Sequence, residues 1–123
     1  MLRNLKMKGK RLSGFKGEEY AIGVLENNGY KIIERNFTTK IGEIDIIAKD
    51  NDTLVFVEVK TRWSKKFGNP EEAVDKRKIS KIKRVGEYYL LTHKNALKKQ
   101  RIDVVAIDVE NSSLVNAKII KVI

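Results

Sequence analysis

The chain has 123 residues, of which 41% are hydrophobic, which suits one domain with a single core. It contains no cysteine, so a disulfide framework and a thiolate metal site are excluded, and a reducing cytoplasm fits. No run approaches the roughly 18 apolar residues of a membrane helix, and residues 1–12 lack the apolar segment of a secretory signal. We therefore expect a cytoplasmic protein that does not use a membrane.

The net charge of +10 favours a polyanionic partner, most often nucleic acid. The basic residues cluster in two groups, and a lysine-rich surface that serves solubility alone is the alternative. Residues 1–12 are predicted to form a flexible basic arm that includes Lys10 and Arg11, and residues 13–123 form one domain. The candidate phosphate contacts in the second group are Lys76, Arg77, Lys78, Lys81 and Arg84.

A first helix is predicted over residues 14–28, with Gly29 as its left-handed terminator. At about 100° per residue, one apolar face is covered by Phe15, Ala21, Ile22 and Leu25. Glu18 falls in the middle of that face. Buried there, its carboxylate needs a cation or hydrogen-bond donors; at the helix end, it would simply favour the helix dipole. Both interpretations stay open at this point.

Residues 31–37 predict a first strand, and a hairpin follows it. Two apolar runs, 44–48 and 54–59, flank a polar break whose turn is centred on Asn51 and Asp52. Residues that pair across this hairpin have numbers that sum to 103. Asp45 then lies opposite Glu58, and Glu43 lies opposite Lys60. Cross-strand neighbours are about 4.5–5.5 Å apart, and like charges there are destabilising.

A divalent cation is the simplest explanation for two facing carboxylates, because hard cations such as Mg²⁺ or Mn²⁺ bind carboxylate oxygens. Glu58 and Lys60 share a strand face, which places an ammonium group beside the predicted metal site. Glu43 shares a face with Asp45. It is either an additional ligand or the partner of Lys60.

A loop is predicted over residues 61–68, and a second helix is predicted to begin at Asn69-Pro70 and to end near His93. Asn is a good N-cap, Pro fits the first turn, and the acids that follow suit the positive end of the dipole. Its apolar stripe is Val74, Ile82, Val85 and Tyr89. Lys78 lies within this stripe. It either packs its stem while its ammonium stays in water, or it points at phosphate or at the carboxylates.

Residues 101–109 and 114–122 predict two further strands. The order of helix, three strands, helix, strand and edge strand predicts an α/β fold, with a mixed sheet flanked by helices. We interpret Asp103 as one half of a structural ion pair, with Arg35 or Arg62 as its partner. His93 is interpreted as a helix cap or a solvated residue rather than a catalytic base.

Two carboxylates, a nearby lysine and a basic surface fit metal-assisted hydrolysis of phosphodiesters. The Glu-x-Lys spacing of Glu58 and Lys60 is weak evidence alone. Its place at the end of an apolar strand, with Asp45 on the preceding strand and Glu18 on the preceding helix, is far more specific.

With these motifs the chain resembles the PD-(D/E)XK nuclease superfamily and, more closely, the small, uncharacterised bacterial family of YraN type. The resemblance covers residues 13–109. It is carried by Gly17-Glu18, Ala21, Gly29-Tyr30, Arg35-Asn36, residues 42–48, residues 56–62, Phe67-Gly68, Val74, Lys78, Lys81-Ile82 and residues 101–105. It implies a restriction-endonuclease-like fold that is similar to Holliday-junction resolvases.

The resemblance also implies roles for individual residues. Glu18, Asp45, Glu58 and Lys60 are the implied catalytic residues, and Lys78 matches the basic residue on the following helix. Asp45, Glu58 and the Val59 backbone carbonyl are the predicted metal ligands. The proline of the superfamily's name is replaced by Ile44, and that position varies within the superfamily.

The function predicted from the sequence is therefore a Mg²⁺- or Mn²⁺-dependent DNA endonuclease that acts on branched or junction DNA. A homodimer is one expectation, since the strand at 114–122 could pair across a two-fold axis. One alternative is a nucleic-acid-binding module that has the same fold and no catalysis. Another is an interaction protein whose charge serves an acidic protein partner.

Overall fold

The computed structural model describes residues 17–63, 67–94, 97–111 and 113–123. The predicted basic arm, with Lys10 and Arg11, lies outside the described residues, and so does Phe15 of the predicted first helix.

Two α-helices and five strands make up the described fold. They are α1 (Gly17–Asn27), β1 (Lys31–Thr39), β2 (Gly42–Asp50), β3 (Thr53–Trp63), a 3-10 turn (Pro70–Ala73), α2 (Lys76–Thr92), β4 (Lys99–Glu110) and β5 (Ser113–Lys121). The strands lie in numerical order in one sheet, and only β3 and β4 are parallel. Parallel neighbours need a crossover, which α2 supplies. The predicted mixed sheet is confirmed, and its arrangement is consistent with the restriction-endonuclease-like fold.

The helices cover opposite faces of the sheet. Along β3, Val55 and Val57 pack in the cluster that contains α1, whereas Leu54 and Phe56 pack in the cluster that contains α2. This alternation is what a strand buried on both faces requires.

The predicted face of α1 is partly wrong. Its buried residues are Tyr20, Ala21, Val24 and Leu25, whereas Ile22 is only half-buried. The buried face is thus rotated toward Tyr20 and Val24, and Glu18 lies at its edge rather than in its middle. The predicted terminator is confirmed, since Gly29 has φ +86° and the Tyr30 N–H donates to the Leu25 carbonyl at 3.0 Å.

The β2–β3 hairpin has the predicted register, with pairs from Asp50↔Thr53 to Ile46↔Val57. Asn51 makes the turn with φ +56°, a conformation that Asn tolerates better than most residues. The ladder ends at Ile46↔Val57. The predicted cross-strand pairs Asp45–Glu58 and Glu43–Lys60 are therefore wrong.

The segment between β3 and α2 also differs from the prediction. Residues 61–63 continue β3 instead of forming a loop, because they pair with β4. Asn69 and Pro70 begin only the 3-10 turn, since the Asn69 side chain makes no capping hydrogen bond. The N-cap of α2 is Asp75, whose carboxylate accepts the N–H groups of Arg77 and Lys78.

Two ion pairs involve the buried acids of β4, Asp103 and Asp108. Arg101 Nε donates to Asp103 Oδ1 at 2.7 Å, and the Tyr30 hydroxyl donates to the same carboxylate at 2.6 Å. The structural role predicted for Asp103 is thus confirmed, but its partner is Arg101, while Arg62 pairs with Asp108 at 2.7 Å. Asp103 is completely buried, so its charge requires a cationic partner, which the adjacent guanidinium of Arg101 supplies.

His93 is the C-cap of α2 and stacks on Tyr89, with ring centroids 3.8 Å apart, which agrees with a capping role. Neither described helix is long and apolar enough to cross a membrane.

Gly86 allows α2 to approach β3 closely. A Cβ atom at Gly86 would lie 2.6 Å from Cε2 of the Phe56 ring, which is buried. We predict that Gly86→Ala lowers the free energy of unfolding by about 1–3 kcal/mol, because overpacking outweighs the better helix propensity of Ala. Urea unfolding measures this effect.

Gly23→Ala in α1 is the matched control, since a Cβ there has no neighbour within 4 Å. It should raise stability by about 0.5–1 kcal/mol. Equal stabilisation by both substitutions would contradict the close packing of Gly86 on Phe56.

Candidate metal centre

The candidate site lies where β2 and β3 separate. Asp45 Oδ2 accepts a hydrogen bond from the Val59 N–H at 2.8 Å. In a continued ladder, that N–H would bond to the backbone of β2 instead. The Asp45 side chain therefore ends the hairpin ladder, while β3 continues beside β4 as far as Trp63.

β1 and β2 are both irregular at this point. Arg35 pairs with Ile46 and Phe37 pairs with Ile44, so Asn36 lies opposite Asp45. Asn36 has φ +54°. Ile44 packs on the α2 side and Ile46 on the α1 side, although residues two apart in a regular strand share a face. The side chains of β2 therefore change faces at Asp45, and the Asp45 carboxylate packs in neither hydrophobic cluster.

Three carboxylates meet at this irregularity. Glu18 from the first turn of α1, together with Glu43 and Asp45 from β2, offers oxygen atoms that all lie within 4.8 Å of one another. Glu18 and Asp45 are half-buried, and Glu43 is exposed. With its amide oriented to suit these acids, Asn36 donates to Glu18 Oε1 at 2.9 Å and to Glu43 Oε2 at 3.1 Å.

The site disfavours the ionised forms of Glu18 and Asp45. Burial raises the pKa of Glu18, and the charges of Asp45 and Glu43 raise it further, while Arg35 and the Asn36 amide oppose this shift. Burial also raises the pKa of Asp45; Glu43 adds to the shift, while the Val59 N–H and Lys78 oppose it. A bound cation would remove this cost, since an opposite charge nearby favours the carboxylate.

Glu58 and Lys78 form an ion pair beside the three acids, with Glu58 Oε2 and Lys78 Nζ 3.4 Å apart. Burial and the charge of Asp45 raise the pKa of Glu58, whereas Lys78 and Lys60 lower it. Glu58 is thus within electrostatic reach of Asp45 but is held by the lysine. The ammonium of Lys78 points at the carboxylates, as one of the two interpretations of the sequence proposed, and its side chain is 61% exposed.

The structure brings Glu18 and Asp45 together and adds Glu43 to them. Glu58 and Lys60 are close by, but Glu58 is outside the group of three. Val59 contributes its N–H to Asp45, and ligation by its carbonyl stays a prediction. The basic candidates Lys76, Arg77, Lys81 and Arg84 are exposed on α2.

Asn36 is the site residue that the sequence reasoning missed as a functional group. Its position in the sequence was the available signal. Asn is an amide residue inside a predicted strand, next to Arg35. Of the two alternatives for Glu43, the described residues support additional ligation over pairing with Lys60.

The donor set suits a hard cation. Three carboxylates supply only oxygen ligands, the type that Mg²⁺ and Mn²⁺ prefer, and Mg²⁺ commonly uses one or two carboxylates together with water. The acidic group could therefore hold a metal ion, and its composition leaves the choice between these metals open.

Comparison with known proteins identifies relatives of most of the chain. Residues 17–107 match the uncharacterised protein family UPF0102. A UPF0102 protein of Caldicellulosiruptor saccharolyticus is 50% identical over 98 residues, which cover 80% of this chain and 83% of the relative. Its counterpart in Persephonella marina is 45% identical over 96 residues, covering 78% of this chain and 83% of the relative. The expected membership of an uncharacterised bacterial family is confirmed, and the chain belongs to the UPF0102 family.

Proposed function

We propose that this protein is a metal-dependent endonuclease that hydrolyses DNA phosphodiesters, with branched or junction DNA as its substrate. The observation that carries the proposal is the convergence of Glu18, Glu43 and Asp45 at the break between β2 and β3, beside Glu58 and Lys60. The preference for branched DNA rests on the resemblance to junction-resolving enzymes alone.

The protein's contribution is to orient oxygen ligands and charges. The Val59 N–H fixes one oxygen of Asp45, which leaves acceptor capacity on that carboxylate for a cation. Asn36 orients Glu18 and Glu43. Mg²⁺ or Mn²⁺ held by these acids would polarise the phosphoryl oxygen and lower the pKa of a bound water.

Lys60 and Lys78 have different roles in this proposal. Lys60 is exposed on the same face as Glu58, where its ammonium can orient the attacking water or stabilise the charge that develops on the phosphate. Lys78 neutralises Glu58, so it should influence cleavage more than affinity.

The exposed basic residues of α2 extend the site into a surface for the DNA backbone. Lys81 is one turn beyond Lys78, and its stem lies against Gly42, since a Cβ there would be 3.0 Å from Lys81 Cδ. Arg84 is three residues farther along. Contacts from such side chains to phosphates position DNA and carry little sequence information.

Cleavage is the direct test of the proposal. Purified protein with Mn²⁺ should cut four-way junctions or flapped DNA, and Asp45→Asn and Glu58→Gln should each lower the rate by about 10²–10³-fold, because they remove charges at the reacting centre. Gel assays of end-labelled DNA measure this. Glu19→Gln, an exposed acid in the same turn as Glu18, is the control and should cut normally.

Two outcomes would count against the nuclease. Cleavage that survives Asp45→Asn would place the chemistry elsewhere or in a contaminant. A wild-type protein that binds DNA but cuts none of these substrates would support the non-catalytic binding module instead.

The raised pKa values predict an unusual stability profile. Asp45→Asn should stabilise the metal-free protein at pH 7 by about 0.5–1 kcal/mol, because it removes a partly buried charge and its repulsion from Glu43, while its amide oxygen can still accept the Val59 N–H. The gain should be absent below the ordinary carboxyl pKa of about 4 and should grow as the pH rises through the raised pKa of folded Asp45. Urea unfolding in EDTA at several pH values measures it.

Mn²⁺ should make the wild type more stable than Asp45→Asn, which reverses their order in the absence of metal. At about 100 times its dissociation constant, the ion should add about 2.7 kcal/mol to the wild type and much less to Asp45→Asn. A loss of stability in metal-free Asp45→Asn would show that Asp45 is mainly a structural hydrogen-bond acceptor.

Salt dependence tests the proposed phosphate contacts on α2. The double variant Lys81→Gln/Arg84→Gln should weaken binding alike on all sequences and reduce the slope of log affinity against log salt by about two. Lys31→Gln/Lys49→Gln removes the same charge where β1 and β2 pair far from the site, so it is the control. An equal change of slope in both double variants would indicate only a general effect of net charge.

A further inference from the structure

A groove separates the tip of the β1–β2 hairpin from the second half of α2. Its volume is about 760 Å³, which is in the range of small-ligand sites. Its lining includes Phe37, Thr39, Lys40, Ile41, Tyr88 and Thr92. None of the described residues that line it is acidic, and Lys40 makes it basic.

The groove presents large apolar side chains to solvent. Tyr88 is 48% exposed, and Ile41 on the hairpin side is 53% exposed. The adjacent Tyr89 is buried and packs edge-on against Phe37 with ring centroids 5.1 Å apart. The Tyr88 ring lies farther from Phe37, with centroids 6.4 Å apart, and about half of its surface stays in solvent. Apolar groups gathered in an open groove are typical of a binding surface.

A basic row leads from the carboxylates to this groove. Arg77, Lys81, Arg84 and Tyr88 follow one another at spacings of four, three and four residues, which places them on one side of α2. Along the helix, Tyr88 is ten residues from Lys78, or about 15 Å, which spans about four nucleotide steps of one DNA strand. A strand bound at the carboxylates and tracked by Lys81 and Arg84 would therefore reach the groove.

We propose that this groove binds an unpaired base of the substrate strand, which stacks on the Tyr88 ring with Ile41 on the other wall. The proposal rests on the proposed nuclease function and names its substrate class: DNA with unpaired nucleotides close to the scissile bond. An unpaired base is required because the faces of bases in a duplex are covered by their neighbours, whereas a splayed base can stack on an aromatic ring. The positive charge of the groove and of the row that leads to it favours this occupant over an apolar or basic peptide.

Binding without cleavage tests the proposal separately from catalysis. Anisotropy of a labelled duplex, and of the same duplex with a short single-stranded arm, is measured in EDTA. Tyr88→Ala should weaken binding of the armed DNA by about tenfold and change duplex binding by less than about twofold, because only the unpaired base stacks on the ring. Tyr88→Phe, which keeps the ring, should bind like the wild type.

Two further variants control for indirect effects. Ile41→Ser alters the opposite wall without touching α2, and it should show the same selective loss for armed DNA. Leu91→Ala removes an apolar side chain of α2 that is 76% exposed and does not line the groove, so it should have no effect.

The proposal would be overturned if Tyr88→Ala weakened the binding of both DNAs equally, or if neither Tyr88→Ala nor Ile41→Ser weakened the binding of armed DNA. Weaker binding by Leu91→Ala would also overturn it. So would a Tyr88-dependent change of sedimentation without a change in DNA binding, which would indicate a second copy of the chain in the groove. Selective binding of armed DNA by a protein that cuts nothing with Mn²⁺ would support the groove and refute the nuclease. If Tyr88→Ala changed neither the cleavage nor the binding of armed DNA, the nuclease would be supported and the groove refuted.

Discussion

The hydrogen bond from the Val59 N–H to the Asp45 carboxylate is the interaction on which the site depends. It ends the β2–β3 ladder at Ile46↔Val57 and replaces a backbone contact with a side-chain contact. β3 can then extend alone beside β4, carrying Glu58 and Lys60 past the end of the hairpin. The bond also holds Asp45 between the acids near α1 and the ion pair near α2, so one carboxylate connects both halves of the site.

This arrangement is costly in the absence of a cation. Burial and mutual repulsion raise the pKa values of Glu18, Asp45 and Glu58, and the donors around them offset only part of the cost. A fold that needed stability alone would not gather these charges at a backbone irregularity. Clusters of perturbed acids in a partly open site are typical of functional sites, which supports the proposed metal-dependent activity.

Local patterns in the sequence predicted the register of the hairpin, the end of α1 and the mixed sheet, because apolar runs and turn residues specify these features directly. They did not predict the break at Asp45, since it depends on a side chain that competes with the backbone for the Val59 N–H. The start of α2 was misplaced because Asn69-Pro70 and Asp75 both look like helix starts, and only Asp75 makes the capping bonds. The role of Asn36 required the fold, since Glu18 and Glu43 belong to two other elements, α1 and β2.

Anomalous scattering from a crystal soaked in Mn²⁺ would show whether, and where, a cation binds at the break between β2 and β3. We expect one strong peak in contact with Asp45 and at least one of Glu18, Glu43 and Glu58, with Asp45 still bound to the Val59 N–H. The identity of the acids that contact the ion would also distinguish two ligand sets. One is Glu18, Glu43 and Asp45, and the other is the predicted set of Asp45, Glu58 and the Val59 carbonyl. A well-ordered site with no peak at Asp45, at Mn²⁺ concentrations that support DNA cleavage, would contradict a metal centre at Asp45.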